Sequence, residues 1–258
     1  MDAKINFNLL FYVIMPPKNP NIQKQYTGQN TQLMDVITEN TSSELNPLLE
    51  ENPWEDIKID DYEGHMNLDS VNQLPVLNWI INSQLNDYNT NSVCIFWIAG
   101  WNWLEHIDKN KYQKVYAIDI NEWFLEVTKN RFSNLLEWIL ECKKLDLSKE
   151  FDKLPNADIV IANLLIEYVW YDSFQKATQK VNPMIVSCVI QVDTNKGCFI
   201  SDSPYIKAFD KLDEVHHEIN EETLIQRMGN LGYNLRKKED FDLINGKRFI
   251  RLDFEKWK

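Results

Sequence analysis

Short apolar runs alternate with segments of helical periodicity through most of the chain. Five runs have the character of strands buried in a sheet, at 93–98, 115–119, 139–145, 157–163 and 184–192. The segments between them, notably 121–132 and the stretch up to residue 180, carry apolar side chains at helical spacing. This alternation predicts a Rossmann-like α/β fold with a doubly wound, mostly parallel sheet.

The carboxyl-terminal part of the chain departs from this alternation. Asn220 is placed to cap a helix, and two apolar alternations follow it at 233–243 and 247–254. They are joined at Asn245-Gly246, a dipeptide that strongly favours a tight hairpin turn. The sequence therefore predicts a sheet of seven strands that ends in an antiparallel carboxyl-terminal hairpin strand.

The part of the chain before the first strand divides into two segments. Residues 1–50 are rich in Asn, Pro, Gln, Thr and Ser and lack periodicity, so we expect a mobile leader. Ser70 is placed to cap a helix with apolar residues at helical spacing. We therefore predict a helical cap at 51–90 and the larger α/β domain at 91–258.

Charge and cysteine content narrow the possible partners and location. The 258 residues include 27 Lys and Arg against 39 Asp and Glu, a net charge of −12, which disfavours nucleic acid and anionic membranes. The four cysteines form no C-x-x-C pair, so we expect a reducing compartment and no metal site. The apolar run at 5–15 is too short to span a bilayer, and no signal-peptide cleavage site follows it. We predict a cytoplasmic protein.

The loop after the first predicted strand is a candidate binding loop. Ligands of open α/β sheets bind beyond the carboxyl ends of the strands. Ala99, Gly100, Trp101 and Asn102 occupy that position after the first strand. Asp119 ends the second strand, where its carboxylate could accept both hydroxyls of a ribose or, equally well, cap the next helix.

Two further strands also end on polar side chains. Asp146 ends the third strand, where it could meet an adenine amino group or simply stand in a turn. Asn163 ends the fourth strand at the centre of the sheet and could reach a ligand or cap the following helix. Polar positions at four successive strand ends together predict a nucleotide site.

These stretches carry a resemblance to a known family. From about 52 to 254 the sequence resembles class I S-adenosylmethionine-dependent methyltransferases, most clearly in the stretches 93–107, 115–121, 145–148 and 157–168. The predicted hairpin matches the reversed last strand of that family. Asn52-Pro53-Trp54-Glu55 and the stretch 62–66 look like the amino-terminal cap of a bacterial subgroup.

The resemblance implies an S-adenosylmethionine-dependent methyltransferase that acts on a small-molecule acceptor, with 91–258 as its nucleotide-binding domain. The family's first loop holds the methionine end of the cofactor, its second-strand acid the ribose, and its third-strand Asp the adenine. The implied cofactor-binding residues are Ala99, Gly100, Trp101, Asn102, Asp119, Ile120, Asp146, Leu147, Asn163 and Leu164.

Candidates for contacting the acceptor come from the cap and from the segments that follow the fourth and fifth strands. Glu167 and Tyr168 could instead belong to the first turn of a helix, and each histidine could be structural. The predicted substrate-binding residues are Tyr62, His65, Glu167, Tyr168, Tyr205 and His216. Of these, Glu167, Tyr168, His65 and His216 are the catalytic candidates.

Tryptophans interrupt the family pattern. Trp97, Trp101, Trp103 and Trp170 stand where members of this appearance carry glycine or another small residue. With indoles at 101 and 103, we expect the loop to swell into the space of the cofactor's amino-acid end. The loop could be remodelled with altered binding, or the protein could be a binding module that has lost its cofactor. Alternatively, these positions are glycine in the native host, where UGA is reassigned.

A third functional class shares part of the pattern. A nicotinamide-dependent dehydrogenase would use a similar first loop and second-strand acid. The hairpin joined at Asn245-Gly246 argues against it, because a dinucleotide-binding sheet of two parallel halves needs no such hairpin.

Overall fold

The computed structural model describes residues 52–99, 102–193 and 199–257. The predicted leader at 1–50 lies outside the described residues, as do Gly100, Trp101 and the side chain of Asn102. The boundary predicted between cap and main domain at residue 90 stays a prediction.

Seven strands form a single sheet. They are β1 (Ser92–Phe96), β2 (Lys114–Asp119), β3 (Leu140–Lys144), β4 (Ile159–Asn163), β5 (Ile185–Asp193), β6 (Tyr233–Asp242) and β7 (Lys247–Lys256). Their order is β3-β2-β1-β4-β5-β7-β6, with β7 antiparallel to both of its neighbours and all other pairs parallel. The predicted fold class is confirmed. The chain runs outward from β1 in one direction and from β4 in the other, so the switch in strand order falls between these two strands.

Six helices accompany the sheet in the described residues. They are α1 (Pro53–Asp56), α2 (Ile59–Met66), α3 (Leu74–Asn86), α4 (Glu122–Leu136), α5 (Ile166–Val181) and α6 (Glu221–Asn230). The Asn121 side chain accepts hydrogen bonds from the first peptide N–H groups of α4, and Asn220 caps α6 in the same way. The 3₁₀ segment Ile206–Glu214 borders the site, and a second one, Asn102–His106, follows the loop after β1.

The helix predicted after Ser70 begins later than the sequence pattern indicated. It starts at Leu74, and Pro75 lies in its first turn, where a missing N–H costs nothing. The preceding residues turn instead, and Asn72 adopts a φ of 52° that a helix does not allow. Ser70 therefore does not cap α3.

The core is continuous between the sheet and the preceding helices. β1 and β4 are buried on both faces, as their unbroken apolar runs predicted. Trp54 of α1 and Tyr62 of α2 belong to the same hydrophobic cluster as these strands. The cap helices thus lie over the carboxyl ends of the strands and form one wall of the site.

A buried ion-pair network joins α3 to the hairpin. Arg251 of β7 is fully buried and donates to Asp253 on its own strand and to Ser83 and Asp87 at the end of α3. Asp253 also accepts a hydrogen bond from Tyr88 at 2.5 Å. The network satisfies charges that would otherwise be costly to bury.

Within the described ranges, no helix is long and apolar enough to cross a membrane. The same residues contain no cluster of three His, Cys, Asp or Glu side chains suited to hold a metal ion.

Candidate functional site

Two cavities lie where the carboxyl ends of the strands meet the cap. The strand-end cavity is lined by residues at the carboxyl ends of β1 to β4 and by the beginning of the cap: Asn52, Trp54, Trp97, Asp119, Ile120, Leu145, Asp146, Leu147, Leu165, Tyr168 and Val169. The cap cavity lies toward α2 and β5 and is lined by Trp54, Tyr62, His65, Met66, Gln73, Trp97, Leu164, Glu167, Tyr168, Gln191, Phe199, Ile200, Ser201, Phe209, Leu212 and His216.

Three aromatic side chains line both cavities and separate them. The ring centroids of Trp54 and Trp97 are 4.6 Å apart, and those of Trp54 and Tyr168 are 4.9 Å apart. Trp97 also lies 5.9 Å from Tyr168, and each of the three pairs meets edge to face. We call this group the aromatic partition. Trp54 lies nearest to both other members, and Trp97 follows β1 at the switch in strand order.

Asp119 is the buried carboxylate of the strand-end cavity. Its Oδ2 accepts a hydrogen bond from the Ala99 N–H and its Oδ1 one from the Asn121 N–H, both at 2.9 Å. Burial raises the pKa of Asp119 to about 7, although these N–H donors counteract the shift. The peptide N–H groups of Ile98 and Ile120 also lower the pKa of this carboxyl group, so a ligand hydroxyl would share its acceptor positions with backbone donors.

Four of the other predicted cofactor-binding residues line one of the two cavities. Ile120, Asp146 and Leu147 line the strand-end cavity with Asp119, whereas Leu164 lines the cap cavity. Part of the hydrogen-bonding capacity of the Asp146 carboxylate is already used, since its Oδ1 accepts a hydrogen bond from the peptide N–H of Ser148 at 2.9 Å.

The Asn163 side chain does not reach either cavity. Its amide forms a reciprocal pair with Gln84 of α3, with both hydrogen bonds at 2.9 Å, and the residue is 1 % exposed. It does not cap α5 either, because Leu165 occupies the N-cap position. The structure therefore gives this amide a packing role between the sheet and α3.

Glu167 brings a carboxyl group to the wall of the cap cavity. Its Oε1 accepts the peptide N–H of Gln191 at 2.8 Å. Its Oε2 is buried and has no hydrogen-bond partner among the residues the structure describes. Burial raises the pKa of Glu167 to about 7. A buried carboxyl oxygen without a partner is costly unless a ligand or water supplies a donor.

The other catalytic candidates are held in their neutral forms. Burial raises the pKa of Tyr168 well above its ordinary value, so the phenol keeps its proton. Burial, with the nearby charge of Lys247, lowers the pKa of His65 to about 4, and its Nδ1 lies 2.8 Å from Ser203 Oγ. Burial also lowers the pKa of His216, whose ring stacks on Phe199 with centroids 3.8 Å apart.

Two side chains flank the cap cavity without lining it. His217 follows His216 in the sequence, but its ring does not line the cavity and contacts the Trp170 ring, with centroids 4.7 Å apart. The Tyr205 ring, predicted to bind substrate, packs on Gly64 of α2 so closely that a Cβ there would lie 2.4 Å from it. The structure therefore brings five of the six predicted substrate residues together and leaves Tyr205 behind the cavity wall.

Sequence reasoning missed a polar chain on the far wall of the cap cavity. Gln73 donates to the Gln191 Oε1 at 2.8 Å, and Gln191 donates to the Phe199 carbonyl at 2.8 Å. The sequence feature that could have indicated it is Gln191, a large polar residue near the end of the mostly apolar run of β5.

The effect of the tryptophans differs from the expectation. Trp103 is 2 % exposed and packs into the core, so it lines neither of the two cavities. Trp97 instead projects its indole between them. Trp101 lies outside the described residues, so the expectation for that position stays a prediction.

Solved structures share this fold at low sequence identity. The N-methyltransferase NodS from Bradyrhizobium japonicum, in complex with S-adenosylhomocysteine, matches over 80 % of this chain and 97 % of its own, with a TM-score of 0.56 and 8 % identity. Magnesium protoporphyrin IX methyltransferase from Synechocystis, with the same bound compound, matches over 77 % and 94 %, with a TM-score of 0.53 and 10 % identity. The protein therefore has the class I methyltransferase fold.

The same fold serves another reaction. The [4+2]-cyclase SpnF matches over 70 % of this chain and 80 % of its own, with a TM-score of 0.52 and 9 % identity. No protein-family model matches the chain, and no curated protein matches it by sequence. Function must therefore be argued from the residues of the site.

Proposed function

We propose that the protein is an S-adenosylmethionine-dependent methyltransferase that acts on a small-molecule acceptor. The observation that carries the proposal is the buried carboxyl of Asp119, which faces a cavity at the end of β2. Proteins of this fold have been crystallised with S-adenosylhomocysteine, which supports an adenosine ligand here. The cofactor would supply an electrophilic methyl group.

The strand-end cavity fits the adenosine half of this cofactor. The carboxylate of Asp119 lines this cavity and suits ribose hydroxyls, and Asp146 suits an amino group on the base. Ile120, Leu147 and neighbouring apolar side chains suit an adenine ring. The methionine half would have to extend toward the cap cavity past the aromatic partition, whose three side chains line both cavities.

The cap cavity suits an acceptor that carries an N–H or O–H group. Glu167 Oε2 would accept that hydrogen, and a carboxyl with a pKa of about 7 is well matched to remove a proton near neutral pH. The aromatic walls, including Tyr62 and Phe199, would orient a ring or an apolar body. His65 and Tyr168 would contribute as neutral hydrogen-bonding groups. The net charge of −12 favours a small acceptor over nucleic acid.

Replacing Asp119 with alanine should weaken adenosine binding at least about tenfold, since a hydrogen bond to a charged group contributes about 1.5–3 kcal/mol. Asp158→Ala is the matched control. Asp158 also accepts hydrogen bonds from two peptide N–H groups, those of Asn91 and Ser92, but it lies at the amino end of β4, away from the site. Calorimetric titration of adenosine into the three proteins measures the difference. Equal affinity in the parent and the Asp119 variant would contradict the assignment.

The aromatic partition favours one alternative, a binding module of the same fold that no longer transfers methyl groups. A nicotinamide-dependent dehydrogenase is disfavoured by the antiparallel β7. Competition experiments distinguish these classes. Protection from thermal unfolding by S-adenosylhomocysteine and not by NADH supports the methyltransferase, and the reverse supports the dehydrogenase. Protection by neither ligand, in the parent and in a folded Trp97→Gly variant alike, supports the module.

A further inference from the structure

Trp170 has the backbone conformation of a glycine. It interrupts α5 with a φ of 64° and a ψ of 163°. That region of the backbone map is essentially restricted to glycine, because a Cβ collides with the neighbouring peptide groups. The side chain is 39 % exposed, so burial does not hold the residue in this conformation. A tryptophan here meets steric strain, which is offset in part by contacts of its ring with Tyr171 and His217, both at 4.7 Å.

Trp97 has a related conformation. Its φ is 63°, directly after β1, and its bulky side chain makes this an outlier for a residue with a Cβ. Leu164 and Ala99 also take positive φ beside the cavities, so positive φ alone does not identify a missing glycine. The contrast lies among the tryptophans. Trp54, Trp79 and Trp123 lie in helices with ordinary backbone angles.

The counts of tryptophan and glycine in the chain also suggest that some tryptophan positions are glycine in the native host. The chain has 9 tryptophans and only 7 glycines, whereas about 18 glycines are usual for this length. UGA is read as tryptophan in some genetic codes and as glycine in others, and UGG always encodes tryptophan. A host that reads UGA as glycine would place glycine where a translation of UGA as tryptophan gives an indole. Two such positions would change the counts from 9 tryptophans and 7 glycines to 7 and 9, which accounts for part of the excess and of the deficit.

We propose that positions 97 and 170 are glycine in the protein made by its native host, each encoded by UGA. With glycine at 97 the aromatic partition loses one of its three rings, the one at the switch in strand order. The space between the strand-end and cap cavities then widens at that point. With glycine at 170 the break in α5 occurs without strain.

Peptide mass spectrometry on the protein from its native host tests the proposal. Trypsin releases residues 154–176, which contain position 170, and residues 59–109, which contain positions 79 and 97. We expect glycine at 97 and 170, and UGA at both codons. Trp79 and Trp123, the latter in the peptide 115–129, are internal controls and should remain tryptophan with UGG codons. Tryptophan at either 97 or 170 overturns the proposal for that position.

Stability of the recombinant chain provides a second measurement. Trp170→Gly should raise the urea midpoint, because it relieves strain at a half-exposed position. Trp79→Gly should lower the midpoint, because Trp79 is 46 % exposed in the regular helix α3, where glycine is unfavourable. A lower midpoint for both variants would overturn the conformational argument without bearing on cofactor binding.

Discussion

Changing Trp97 to glycine should raise the affinity for S-adenosylhomocysteine at least about 100-fold, because the ligand then need not displace a buried indole. The Trp97 side chain is 8 % exposed and contacts three other rings. A tryptophan buries about 150–250 Å², so moving it into water costs about 4 kcal/mol or more. Calorimetric titration into the parent and Trp97→Gly proteins measures the gain.

Two controls isolate the effect of the aromatic partition. Adenosine should gain far less affinity than S-adenosylhomocysteine, since it occupies the strand-end cavity beside Asp119, which Trp97 only borders, and does not cross to the cap cavity. Trp103→Gly removes a buried indole that lines neither of the two cavities, so it should lower stability without raising affinity. If the parent chain already binds S-adenosylhomocysteine as tightly as the Trp97 variant, the indole moves aside and the remodelled-loop hypothesis holds.

Local patterns were sufficient to predict most of the sheet. The strands around Val93 and Ile159 are continuous apolar runs, which is what burial on both faces requires. Asn121 and Asn220 were recognisable as helix caps because capping depends on neighbours within three residues. Asn245-Gly246 likewise marks the turn between β6 and β7 through its own backbone preference.

The site depends on contacts that no local pattern encodes. Asn163 lies at a strand end, yet its side-chain amide forms two reciprocal hydrogen bonds with Gln84, which is distant in the sequence. The orphaned oxygen of Glu167 results from the packing of α5 against β5, because only one carboxyl oxygen reaches a peptide N–H. The position of the Trp97 indole depends on the cap helices that meet it. Strand ends could be predicted as a group, but the side chains free for a ligand could not.

Glu167→Gln should stabilise the protein at alkaline pH and have little effect at acid pH. Burial raises the pKa of Glu167 from an ordinary 4.5 to about 7, so the folded state holds this proton more tightly than the unfolded state. Stability from this group is therefore greatest at low pH and falls as pH rises from about 4.5 to about 7. At about pH 8 the ionised carboxylate costs about 3 kcal/mol, at about 1.4 kcal/mol per pKa unit.

Urea unfolding at about pH 8 and about pH 5 measures this difference through the free energy of unfolding. The glutamine variant should gain about 3 kcal/mol over the parent at the higher pH and less than about 1 kcal/mol at the lower. Asp119 titrates in the same range but is present in both proteins, so its contribution cancels. An equal difference at both pH values would show that Glu167 does not hold its proton near neutrality. A carboxyl that does so is matched to the proton transfer proposed for the cap cavity.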